Sequence, residues 1–120
     1  MTTILVAEDT RVNQITLKHV LTKQGYGVLM ADDGQLALDA LKEIAVDLVI
    51  TDIGMPNMDG FGLTKAIRTT DNLSELPIIM LTASADDDDQ LAAIEAQVDA
   101  FLTRPFDSQQ LTGLVAQLLA

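Results

Sequence analysis

The sequence predicts a doubly wound α/β domain, with a parallel sheet and helices on both faces. Three observations carry that expectation. Short apolar runs alternate strictly with amphipathic helical patterns along the chain. Turn and cap residues punctuate nearly every junction. Acidic residues follow two of the apolar runs directly, at the strand ends where open α/β sheets bind ligands.

The first strand is expected near 3–8, where Ile4-Leu5-Val6-Ala7 leads into Glu8-Asp9. The first helix, near 11–24, sets Asn13, Leu17, Val20, Leu21 and Gln24 on one face, and Gly25 ends it. The second strand falls near 26–30. Asp32-Asp33-Gly34 then reads as a turn plus the N-cap of a helix near 34–44. The third strand, near 47–52, carries Leu48-Val49-Ile50-Thr51 and ends in Asp52. Met55-Pro56-Asn57-Met58-Asp59-Gly60 follows as a turn: Pro56 fixes φ, Gly60 is expected to adopt a special backbone angle, and Asp59 caps a helix near 60–70.

Pro77 opens the fourth strand, near 77–81, whose run Ile78-Ile79-Met80-Leu81 ends in Thr82. The fourth helix, near 85–96, has Ser84 as its expected cap and Asp86-Asp87-Asp88-Asp89 as a solvated, dipole-favourable first turn. The fifth strand lies near 99–102, ends near Arg104 and is stopped by Pro105. The last helix, near 107–119, starts from Asp107 or Ser108 and presents Leu111, Leu114, Val115, Leu118 and Leu119 on one stripe.

The 120 residues, 48% hydrophobic, suffice for one domain with a real core, and the expected unit is 1–120. A net charge of -11 argues against direct nucleic-acid binding, which needs basic residues to replace the counterions of phosphates. No apolar run is long enough to span a bilayer, and no targeting pattern opens the chain. The absence of cysteine fits a cytoplasmic setting. His19, the sole histidine, lies off the apolar stripe of its helix and is expected to be exposed and without a catalytic role.

The acids at the strand ends need a cation or a proton. At an effective dielectric of about 20, two carboxylates about 5 Å apart repel by about 3 kcal/mol. A divalent metal relieves this, and hard oxygen ligands suit Mg²⁺.

Four landmarks in order are Glu8-Asp9, Asp52 to Gly60, Leu81-Thr82-Ala83-Ser84 and Phe101-Leu102-Thr103-Arg104-Pro105-Phe106. With them the whole chain resembles the receiver domain of two-component response regulators, including receivers of hybrid sensor kinases. The resemblance implies a flavodoxin-like fold with strand order 2-1-3-4-5. It implies that Asp52 accepts a phosphoryl group from a phosphohistidine, and that Glu8, Asp9 and Asp52 with the Gly54 carbonyl hold Mg²⁺. It further implies that Thr82 binds a phosphoryl oxygen and that Phe101 is a switch aromatic. Gly54 and Ser84 fall where side chains tune phosphoryl lifetime, here expected to be intermediate. The implied partners are a histidine kinase or histidine phosphotransfer protein, and a downstream protein target or fused output domain, with neither nucleic acid nor membrane bound directly. A free-standing regulator and a receiver within a longer protein both remain open.

Arg104 departs from the lysine usual in the family. Guanidinium is a planar fork donor where ammonium is a point charge. It is placed either to pair with the phosphoryl group or to clamp Asp52 or the Glu8-Asp9 pair beforehand. The second arrangement gives a pseudo-receiver, a docking module independent of phosphorylation. Two other readings fit less well. A phosphatase of the haloacid dehalogenase type needs a second acid two residues after the nucleophile, where this chain has Gly54. A flavodoxin-type cofactor site needs a phosphate-binding loop where Glu8-Asp9-Thr10-Arg11 stands, which repels phosphate.

Overall fold

A computed structural model describes residues 1–83 and 86–120. The elements run β1 (Thr3–Ala7), α1 (Arg11–Lys23), β2 (Gly27–Ala31), α2 (Gly34–Glu43), β3 (Leu48–Asp52), α3 (Gly60–Arg68), β4 (Ile78–Thr82), α4 (Asp87–Ala96), β5 (Ala100–Thr103) and α5 (Ser108–Leu119). All strand pairings are parallel, and the order is β2-β1-β3-β4-β5. This is the flavodoxin-like fold expected from the resemblance.

Strand alternation builds two cores. Ile4, Val6, Leu48, Ile50, Ile79 and Leu81 pack on one face of the sheet with Leu17 and Leu21 of α1 and Leu111 and Val115 of α5. Leu5, Ala7, Val49 and Ile78 pack on the other with Ala37, Leu38 and Leu41 of α2 and Leu63 and Ile67 of α3. Successive residues of a strand point to opposite faces, so a strand covered on both sides must be apolar throughout. That requirement is why β1, β3 and β4 read as continuous apolar runs.

The loop after β3 is fixed by close backbone approach. A Cβ on Gly60 would overlap the carbonyl oxygen of Asp52, and one on Gly34 would overlap that of Met58. Glycine at 60 is therefore needed for contact rather than for the special backbone angle expected of it. Asn57 takes the left-handed conformation instead, at φ 66°, which asparagine adopts more readily than most residues with a Cβ. Here Nδ2 of Asn57 donates to Oδ2 of Asp33 at 2.7 Å, while the N–H of Gly34 donates to the Met58 carbonyl at 3.1 Å.

Caps agree with the sequence at α2 (Asp33), α3 (Asp59) and α5, where Asp107 and Gln110 form a capping box. At α4 the cap is Asp86, accepting from the N–H of Asp88 at 2.8 Å. Ser84, with its expected role in phosphoryl lifetime, lies outside the described residues. Among the described residues no helix is long and apolar enough to cross a membrane.

Candidate functional site

The sheet changes winding direction between β1 and β3, which are neighbours although β2 intervenes in sequence. Beyond the carboxyl ends of these strands lies the crevice where open α/β sheets bind ligands. Glu8 and Asp9 follow β1 directly, and Asp52 is the last residue of β3. Each of the three offers one carboxylate oxygen, all within 4.8 Å of one another. Thr82 closes β4 and is buried; Arg104 follows β5, and its N–H donates to the Thr82 carbonyl at 2.7 Å. Five of the expected residues thus stand along one edge of the sheet.

Their environments differ. Asp9 is exposed and Asp52 half-buried, but Glu8 is fully buried. Asn13 of α1 donates from Nδ2 to Oε1 of Glu8 at 2.6 Å, whereas Oε2 is buried without a hydrogen-bond partner among the described residues. Burial raises the Glu8 carboxyl to about 7, reinforced by the neighbouring Asp52 carboxyl; the Asn13 amide and the Arg104 charge pull the other way. A buried carboxylate oxygen without a donor is costly unless a proton or cation completes it. The all-oxygen donor set and the bare Oε2 fit a hard divalent cation.

Arg104 brings a guanidinium to the acids. Its Nη1 lies 3.0 Å from Oδ1 of Asp52, and its Nη2 lies 3.9 Å from Oε1 of Glu8. The guanidinium thus pairs with Asp52. The pair is partly solvated, with side chains 25% and 15% exposed. Oδ1 of Asp52 also accepts from the N–H of Ile53 at 3.0 Å.

Gly54 is exposed, and a Cβ there would meet nothing within 4 Å, so the space beside Asp52 is open. Phe101, in β5, stands half-buried away from the acids. It lines a groove of about 440 Å³ with Ala93 and Ile94 of α4. His19 is exposed, as expected.

Two site neighbours were not recognised from the sequence as such. Asn13 falls within the apolar stripe of its helix, and Gln14 belongs to none of the landmark motifs. Gln14 is buried, and its Nε2 donates to the Glu8 carbonyl at 2.6 Å and to Oδ1 of Asp32 at 2.7 Å. The available signal was a polar amide at 14, in helical register with Leu17 and Leu21 of the apolar face.

Comparison with known proteins agrees with this geometry. The sequence profile of the response regulator receiver domain matches residues 4–116. The transcriptional regulatory protein CpxR of Escherichia coli (strain K12) is 34% identical over 119 residues, 99% of this chain and 50% of CpxR. The chain spans about half the length of the curated relatives it matches. The signal receiver domain of a signal transduction histidine kinase from Syntrophus aciditrophicus superposes with a TM-score of 0.94 at 33% identity, covering 99% of this chain and 90% of that one. The receiver domain of the sensor histidine kinase PA1611 from Pseudomonas aeruginosa PAO1 gives a TM-score of 0.92 at 30% identity, over 98% and 97% of the two chains; that crystal structure has a magnesium ion coordinated in its active-site cleft. With sequence, fold and acidic edge in agreement, the chain belongs to the response regulator receiver domain family, the signalling switches of two-component systems.

Proposed function

We propose that residues 1–120 form one phospho-accepting switch domain, in which Asp52 takes a phosphoryl group from a phosphohistidine of a histidine kinase or phosphotransfer protein. The observation that carries this reading is the convergence of Glu8, Asp9 and Asp52 beside the buried, unpartnered Oε2 of Glu8. Glu8, Asp9, Asp52 and the Gly54 carbonyl would hold Mg²⁺. When bound, the ion supplies positive charge that offsets the phosphoryl oxygens.

The chain's own residues do the rest. A carboxylate oxygen of Asp52 attacks phosphorus in line, the P–N bond to the donor histidine breaks, and its electron pair stays with the imidazole. Arg104 stands within 3.0 Å of Asp52 and offers further N–H donors for phosphoryl oxygens. Thr82, at the end of β4, provides a hydroxyl for another of those oxygens. Hydrolysis reverses the state: water attacks phosphorus, the P–O bond to Asp52 breaks, and inorganic phosphate leaves. The open space at Gly54 neither blocks nor assists that water.

The output would run through α4 and β5. Helix α4 buries only Ala93 and Ala96 among its described side chains, while Leu91 and Ile94 are 56% and 71% exposed. A helix seated on alanines loses few contacts when it shifts. Phe101 beside it has room to turn into the 440 Å³ groove as Thr82 moves toward a phosphoryl group. The changed α4-β5-α5 face is what a downstream protein or fused output domain would read. With a charge of -11 this domain would not bind nucleic acid itself; DNA contact would belong to an output domain or partner. The same proposal keeps the cytoplasmic setting expected from the sequence.

The Arg104–Asp52 ion pair favours a second reading, a pseudo-receiver held in one conformation. The two separate on incubation with acetyl phosphate and Mg²⁺. Phosphate incorporated by the native chain and lost in Asp52→Ala supports the switch. A native chain that stays unlabelled while Arg104→Lys takes up phosphate supports the pseudo-receiver.

A further inference from the structure

Asn13 occupies the first turn of α1, a helix whose N-cap, Thr10, makes no side-chain cap hydrogen bond. Short polar side chains in such a turn commonly bond their own helix terminus. Asn13 does something else: it reaches back to Glu8, placing Nδ2 2.6 Å from Oε1. The next residue, Gln14, holds the main chain of Glu8 by donating to its carbonyl at 2.6 Å. One turn of α1 therefore grips Glu8 at both backbone and side chain.

This grip divides the carboxylate. Oε1 is engaged by Asn13, and Nη2 of Arg104, at 3.9 Å from the same oxygen, is too distant for a hydrogen bond. Oε2 is buried and has no hydrogen-bond partner among the described residues. Glutamate carries one more rotatable bond than aspartate, so its carboxylate needs a restraint to present one defined oxygen. An amide is suited to the task. It donates to the carboxylate without adding a positive charge that would repel a divalent ion.

We propose that Asn13 is the positioning residue of the cation site, holding Glu8 by Oε1 so that Oε2 is left for the ion. The inference rests on the reading of Glu8, Asp9 and Asp52 as a Mg²⁺ site, and its test separates the two. The whole chain is titrated with Mg²⁺ by calorimetry as native protein, Asn13→Ala and Asn13→Leu, the last keeping bulk while removing the amide. The same changes are then made in Glu8→Asp, whose arm is shorter by one methylene and should draw its carboxylate away from residue 13. Both single variants should bind about 10-fold more weakly than native, in line with the loss of an outer-shell partner. In the Glu8→Asp background the same changes should alter affinity less than about twofold, a contrast that merely loosened packing would not produce. Native protein that binds Mg²⁺ no better than Asn13→Ala and Asn13→Leu overturns the role of Asn13 and leaves the site standing. An equal loss in both backgrounds overturns it too, because Asn13 would then act elsewhere than through Glu8. A native chain that gives no binding heat brings down the site itself.

Discussion

Glu8 is a buried carboxyl with a second carboxyl beside it, so it governs how the metal-free domain responds to pH. Burial, then Asp52, raises it from 4.5 to about 7. An acid whose value is raised on folding binds a proton more tightly in the folded state. Its stabilising contribution is therefore complete below about 4.5 and is lost as pH rises through about 7. In EDTA, unfolding free energy from this group alone should fall by on the order of 3 kcal/mol between pH 5 and pH 8. Urea unfolding across that range checks it, and Glu8→Gln should flatten the slope; equal slopes in both proteins would refute the assignment. Asp33 titrates in a different window and does not confuse the measurement. Its carboxyl accepts from the Leu36 N–H and the Asn57 amide, which hold it below its ordinary 3.8. Its contribution is present above that value and is lost only as pH falls through the lower folded value.

At the scale of elements, the end of the sheet opposite the acids is tied by one side chain. Arg68, at the end of α3, donates from Nε to the Gln97 carbonyl at 3.0 Å, from Nη1 to the carbonyls of Ser74 (3.2 Å) and Leu76 (2.7 Å), and from Nη2 to Asp99 at 2.8 Å. Asp99 in turn accepts from the N–H of Ile78 at 2.8 Å, at the start of β4. Arg68→Met keeps the aliphatic stem and removes every donor, so it should cost about 2 kcal/mol in urea unfolding. A change under about 0.5 kcal/mol would mean that water replaces these bonds freely. Little of this tie was legible in the sequence, because three of its four acceptors are main-chain carbonyls that any residue supplies. The elements themselves were legible, since both cores impose continuous apolar runs on β1, β3 and β4 and a single stripe on α5. Their ends were less so. Helix α3 stops at Arg68 rather than near 70, and α4 is closed by the left-handed Gln97 at φ 69°, a position without a glycine signal. The run Asp86-Asp87-Asp88-Asp89, expected wholly within the first turn, supplies the cap in Asp86 and the first turn in Asp87 to Asp89. Within the site, Glu8, Asp9 and Asp52 were visible because acids at strand ends conflict with burial. Asn13 and Gln14 were hidden because amides on a helix face carry no such conflict.

Across the whole molecule, a charge of -11 on 120 residues makes self-repulsion a general destabilising term. Any salt screens it, whereas occupation of the acidic edge should act by mass action on top. The two contributions separate when thermal midpoints are compared in MgCl₂ and NaCl at matched ionic strength. With free Mg²⁺ about ten times its Kd, site binding should add about 1.4 kcal/mol, or on the order of 5 °C. Asp52→Ala removes a proposed ligand and leaves most surface charge in place. It should therefore keep the rise in NaCl and lose most of the Mg²⁺-specific increment. Retention of the full increment in Asp52→Ala would place the ion among dispersed surface acids such as Asp87 and Asp88, and the strand-end carboxylates would then be balanced by Arg104 alone.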